Sequence, residues 1–223
     1  MKPSSRARLS PFTTAAFDGD TLFDAVGRVV SAAACLPRKE LFEAWHVAKR
    51  VHKRLRPGGP VVEVAAGHGL VSWLLLLLGG SGWSRALLVD ARVPESAGRL
   101  EAALVARWPA LSGRVTWHPG EVEDAPVGPD AVVVAVHACG GLTDRAIALA
   151  RRAPCRLAVL PCCQRLGKDD AGGLEAWLDG QVAVDAVRAL RLRDAGWRTH
   201  ATTIPAEVTP QNRLLVAEPP GWA

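Results

Sequence analysis

The chain has 223 residues, 49% of them hydrophobic and 22% charged, enough for one sizeable buried core and too ordinary a composition for a fibre or a disordered tail. Its net charge is +5, and the excess sits at the front: residues 1–59 carry 11 Lys and Arg against 5 Asp and Glu, whereas residues 60–223 carry 16 against 17. The greasiest run, residues 70–78, falls far short of the roughly 20 residues needed to cross hydrocarbon and reads as a buried helix.

Residues 1–20 are rich in Ser, Thr, Pro and Arg, show little apolar periodicity, and are expected to be flexible, fraying or lying over the surface. Their basic residues are not followed by an apolar run, so no export signal is expected. Cysteines at 35, 139, 155, 162 and 163 make no even disulfide framework, which favours a reducing cytoplasm. From Leu22 to Leu55 apolar residues recur at helical spacing, broken at Pro37, predicting two helices in a basic cap over residues 21–59. Beyond Pro60, strands are predicted over 61–65, 86–89, 115–117, 131–136, 156–160, 199–204 and 213–217. Helices are predicted over 70–78, 95–108 and 143–152, with a shorter helical segment over 173–178. Short β-branched strands alternating with helices predict an α/β domain over 60–223 with a mostly parallel seven-stranded sheet covered on both faces. Ligands in such a sheet bind at the carboxyl ends of the strands.

The first strand runs into Glu63-Val64-Ala65-Ala66-Gly67-His68-Gly69-Leu70, with a helix immediately after it. Glycines there allow a tight turn and a close approach of ligand to backbone. A dinucleotide fingerprint wants glycine where Ser72 stands, and a phosphate loop wants Gly-Lys-Ser/Thr, which is missing. The acidic-x-x-x-Gly-x-Gly pattern resembles that of class I S-adenosylmethionine-dependent methyltransferases, which have a Rossmann-like fold. The resemblance implies that Glu63, Ala65, Gly67 and Gly69 surround the methionine end, whose ammonium favours a carboxylate. Asp90, closing the second strand, would accept hydrogen bonds from the ribose hydroxyls, and Glu121, after the third, would lie near the adenine. The competing readings are a buried carboxylate satisfied by helix amides for Glu63 and solvated loop acids for Asp90 and Glu121. His68, between the glycines, is expected to have no catalytic part.

Two further motifs follow strands four and five: His137-Ala138-Cys139-Gly140-Gly141-Leu142-Thr143-Asp144 and Pro161-Cys162-Cys163-Gln164-Arg165. The pair resembles the branch that includes tRNA 2′-O-methyltransferases and the methyltransferase domain of the glutathione S-transferase C-terminal-domain-containing protein. Gln164-Arg165 stands where those tRNA enzymes have His-His. Histidine is the side chain whose ordinary range lies nearest neutrality, so His137 is a candidate general base as well as a wall of the cofactor site. Cys162 or Cys163 is a candidate nucleophile toward a pyrimidine ring. With Cys139 and His137 they would also number four zinc ligands, but adjacent cysteines lack the usual spacer, so no metal is assigned. Apolar packing is the remaining reading.

Lys49, Arg50, Lys53 and Arg54 share a helix face. Lys49, Lys53 and Arg54, with Arg165 at the strand-five turn, are candidate phosphate contacts, making structured RNA the first substrate class considered. A solvated helix face is the alternative, and aromatic interleaving is poor, with no tyrosine in the chain. The chain is therefore expected to be a methyltransferase using S-adenosylmethionine, acting on tRNA or rRNA. A small-molecule or protein acceptor, or a cofactor-binding scaffold without turnover, is the runner-up.

Overall fold

The computed structural model describes residues 2–222. Seven strands form one sheet: β1 Val61–Val64, β2 Ala86–Asp90, β3 Val115–Pro119, β4 Val132–Val136, β5 Arg156–Leu160, β6 Arg198–Thr203 and β7 Arg213–Glu218. Their order is β3-β2-β1-β4-β5-β7-β6. The first five run parallel, and β7 is antiparallel to both β5 and β6. The order reverses between β1 and β4, which pair with Glu63 opposite Val134. Connections leave the sheet on opposite faces at such a switch point, so a crevice opens at the strand tips. β1 and β5 are buried along their whole length and β4 at all but its last residue, as continuous apolar runs in a doubly covered parallel sheet require.

Helices α1 Leu22–Ala33 and α2 Arg38–Leu55 precede the sheet, and α3 Leu70–Gly79, α4 Ala97–Arg107, α5 Leu142–Arg152 and α6 Gly180–Asp194 follow in chain order. α3 is apolar on every side because it is enclosed by α2 and by β1 and β2. α2 runs the height of the domain, and its last turn is held by Arg156, the first residue of β5. That guanidinium is buried and donates to the carbonyls of Leu55 at 3.2 Å, Arg56 at 3.0 Å, Gly58, and Asp130 at 2.7 Å. The rings of Trp83 and Trp222 flank it, with centroids 5.4 and 4.6 Å away. Among the described residues no helix is long and apolar enough to cross a membrane.

Two expectations are refined. The front segment lies largely at the surface but is anchored at two points: Leu9 and Phe17 are buried, Leu9 N–H donates to Leu36 O at 2.9 Å and Arg38 N–H to Ala7 O at 3.0 Å. Phe17 seats against Gly27 of α1, where an added Cβ would lie 2.2 Å from the ring. Isolated apolar residues among polar ones carry no period, which is why the sequence hides this. Second, residues 173–178 form turns, and the helix begins at Gly180 behind the Asp179 cap, whose carboxylate accepts from Gln181 N–H at 3.0 Å and Val182 N–H at 3.2 Å. α6 buries Arg188 along with Val184 and Val187, so its apolar stripe is interrupted and the 3.6-residue period is weak.

Candidate active site

The turn after β1 is shaped by left-handed backbone. Ala65, Gly67 and Gly69 have φ of 51°, 52° and 67°. At Gly69 a Cβ would also meet Leu88 Cδ1 at 2.2 Å, so only glycine fits. Two carboxylates pin this turn. Glu63 Oε2 accepts the Ser72 N–H at 2.8 Å, reaching from the strand to the unpaired first turn of α3. Asp90 Oδ2 accepts the Gly67 N–H at 2.9 Å and Oδ1 the Arg92 N–H at 3.1 Å. A carboxylate has about four lone-pair directions, so Asp90 keeps capacity for further donors. Burial pushes the Glu63 carboxyl up to about 7, against the opposing bond from Ser72.

A cavity of about 220 Å³ lies above β1 and β4, lined among others by Glu40, Glu43, Glu63, Gly67, His68 and His137. A second, of about 130 Å³, is lined by Val89, Asp90, Gly120, Glu121, Val122 and Leu142. Ala65 lines both. The two hollows thus meet over one alanine, with acidic groups in the first and two carboxylates, Asp90 and Glu121, among apolar residues in the second. This fits an elongated ligand with a cationic amino-acid end and a nucleoside end.

The cap helix forms the roof of the larger cavity. Glu43 is 2% exposed and lies beside Lys39, while its Oε1 is 2.9 Å from His137 Nε2. His137 Nε2 is itself buried without an aligned hydrogen bond, so its approach to Glu43 becomes an ion pair only when the ring carries a second proton. Burial raises the Glu43 carboxyl, but His137 and Lys39 outweigh it and hold the group below the usual range. Glu40, next to it, is raised by burial and by Glu43. His137 has φ 55°, unusual for a residue with a Cβ and typical of constrained functional positions. Its N–H donates to Leu160 O at 3.0 Å, fixing it at the β4 tip.

The structure brings Glu63, Ala65, Gly67 and His137 around one cavity and Asp90 and Glu121 around the other. Gly69 shapes the turn as the N-cap of α3. Glu121 is mostly exposed and sits 3.3 Å from Arg145. His68 also lines the larger cavity, with Nε2 2.8 Å from Ser96 Oγ. Cys162 and Cys163 do not line either cavity; they cluster with Cys139 just beyond. Burial, with Cys139 and Cys163 alongside, pushes the Cys162 thiol strongly up, the reverse of what a thiolate nucleophile needs.

The basic face is placed differently from expectation. Lys49, Lys53 and Arg54 are exposed, but Arg54 lines a hollow with Arg156, Arg198 and Glu218 at the amino-terminal rim of the sheet. Eleven residues of helix separate it from Glu43, about 16 Å of rise, so the positive end of α2 points away from the cavity. Arg165 alone of the four basic candidates lies at the carboxyl rim, over Gly140 and Gly141 and paired with Asp169 at 2.7 Å.

A family described as a methyltransferase domain matches residues 46–168. The chain belongs to that family. Solved structures share the fold at low identity. An O-methyltransferase family protein from Burkholderia thailandensis has a TM-score of 0.54 at 17% identity over 95% of this chain and 63% of its own. The B. subtilis M1A22 tRNA methyltransferase TrmK has 0.52 at 12% over 77% and 64%. The glycopeptide N-methyltransferase MtfA, complexed with S-adenosyl-L-methionine, has 0.52 at 16% over 79% and 94%. The chain thus spans less than two thirds of the first two proteins. A search of the curated proteins returns no match.

Sequence reasoning missed Glu40 and Glu43, which lie outside the matched span. The signal was present: Glu43 occupies the same four-residue stripe as Val47, Val51 and Leu55, all buried. A carboxylate in an apolar stripe needs a partner, and that partner, His137, follows β4, 94 residues away in the chain.

Proposed function

We propose that the chain is an S-adenosylmethionine-dependent methyltransferase whose acceptor is a hydroxyl or amine presented at His137. The observation that carries this reading is the pair of cavities meeting at Ala65, with Glu63 in one and Asp90 in the other. S-adenosylmethionine supplies an already activated sulfonium methyl group, so the protein's work is alignment. Glu63, Ala65, Gly67 and Gly69 hold the methionine end, Asp90 the ribose and Glu121 the adenine side. His137 takes the acceptor's proton, and Glu43 orients the ring and steadies the positive charge that the ring then carries. The cysteines are given no catalytic step, because they lie outside the cavities and burial holds the Cys162 thiol protonated.

The cap helix roofs the cavity with Glu40 and Glu43, which favours a compact acceptor that fits beneath it. RNA is the second reading. It rests on Arg165 and the exposed Lys168 at the same rim, and on the motif resemblance to tRNA 2′-O-methyltransferases. Calorimetry with S-adenosylmethionine and its demethylated product should register binding of both, and absence of both overturns the assignment. Labelled donor incubated in parallel with total RNA and with a small-molecule extract then separates the acceptor classes, with His137→Ala as control. Donor binding without label transfer to either would leave a scaffold role.

A further inference from the structure

Beyond the cavities, the turns after β4 and β5 bring three sulfurs together. Cys139 Sγ lies 2.9 Å from Cys162 Sγ and 3.4 Å from Cys163 Sγ, and the last two are 3.4 Å apart. Adjacent residues of a strand point to opposite faces. Cys162 and Cys163 instead follow β5 in irregular backbone, and both turn their sulfurs toward Cys139. This removes the objection that adjacency raises in the sequence.

Both turns are braced. Thr143 Oγ1 donates to Ala138 O at 2.8 Å, Gln164 Nε2 donates to the Asp185 carboxylate at 2.9 and 3.0 Å, and the Arg165 N–H and Nε each bond Asp169 at 2.8 Å. Arg188, buried, ties Asp144 of α5 to Asp185 of α6. The sulfurs are therefore positioned by the fold rather than by a loose loop.

We propose that Cys139, Cys162 and Cys163 form a three-thiolate zinc site, with the fourth coordination position left to water. Thiolates around tetrahedral zinc, at Zn–S about 2.3 Å, stand about 3.8 Å apart, so the sulfurs need to open by about an ångström or less. Three thiols lose their protons to solvent as three S–Zn bonds form, and sulfur keeps its oxidation state. The site then carries one net negative charge, beside the Arg165 guanidinium that lies 3.3 to 3.5 Å from where a Gly141 Cβ would be. Cys139 and Cys163 are exposed, giving the ion a path in and the fourth position an opening. His137 takes no part, its Nε2 being turned to Glu43.

The test is metal analysis of the full chain purified under reducing conditions without chelator. The metal-free protein is then titrated with Zn²⁺ against a chromogenic chelator and with Co²⁺ for its spectrum. Expected are one equivalent of zinc, proton release on binding, and a thiolate-to-cobalt charge-transfer band. Cys139→Ser and Cys163→Ser, both at exposed positions, should each weaken zinc binding on the order of 100-fold or more with the far-UV spectrum unchanged, and Arg165→Gln about tenfold. The proposal fails if the chain holds less than a tenth of an equivalent, if cobalt binds without a thiolate band, or if two of the sulfurs prove to be joined as a disulfide before metal is added. None of these readouts involves methyl transfer, so failure here leaves the proposed activity untouched.

Discussion

At the amino-terminal rim of the sheet a buried arginine holds four backbone carbonyls with its two terminal nitrogens and lies between two indoles. At the carboxyl rim a buried glutamate faces a histidine whose ring nitrogen makes no aligned hydrogen bond, and two residues with side chains, Ala65 and His137, take left-handed backbone. Both rims bury charge and both hold a residue with a side chain at positive φ, Arg56 at the first as well as Ala65 and His137 at the second, yet one uses its charge to close a helix end and the other turns carboxylates toward cavities. What separates the rims is where the charge is spent: Arg156 gives both terminal nitrogens to backbone carbonyls and leaves only Nε without a partner, whereas Glu43, Glu63 and Asp90 at the carboxyl rim line cavities, where a ligand can use them.

The sharpest way to break this contrast is at Arg156. Removing its guanidinium orphans buried carbonyls at the end of α2, so Arg156→Met should cost about 4 kcal/mol in urea unfolding, while donor affinity of the folded fraction stays as it was. An equal loss of affinity would mean that the two rims are not separable. Gly69→Ala should cost less, about 2 kcal/mol, because φ is wrong and Cβ strikes Leu88; here donor affinity should fall as well, measured by calorimetry.

At the carboxyl rim function should move more than stability. His137→Ala is expected to lower kcat by about 100-fold or more, and Glu43→Gln to produce a smaller fall in the same direction with donor affinity nearly kept. Parallel losses in donor affinity would recast both residues as cofactor walls.

Glu63 gives a pH dependence whose sign is fixed. Its folded carboxyl, at about 7, lies above its ordinary value of 4.5. Between those values the folded chain keeps a proton that the unfolded chain has released, so stability falls as pH rises through that window, by about 3 kcal/mol in all. An ammonium brought beside Glu63 favours the ionised form. Affinity for the demethylated product should therefore rise from pH 6 to 8, and Glu63→Gln should flatten the rise; Glu40, Glu43, His68 and His137 share the cavity and are unchanged in that comparison. The smallest effect concerns the basic residues: salt dependence of RNA binding should change more with Arg165→Glu than with Lys53→Glu and Arg54→Glu together. The reverse would restore the cap helix as the RNA face.

What the sequence alone determined is everything that depends on local period and local backbone chemistry. The parallel α/β frame followed from apolar runs alternating with helices, and the ligand turn from a carboxylate and two glycines at fixed spacing after a strand. What only the tertiary structure decided is what depends on pairs distant in the chain. Glu43 meets His137, Cys139 meets Cys162 and Cys163, and the two ends of α2 lie at opposite rims. A helix face predicts which residues share a side but not which end of the sheet they reach, because direction relative to the strands is set by the packing of α2 on α3 and by Arg156 closing its last turn. α6 escaped for the same reason: its buried arginine is tolerated because Asp144 of α5 and Asp169 of the turn after β5 join Asp185 of its own helix around it.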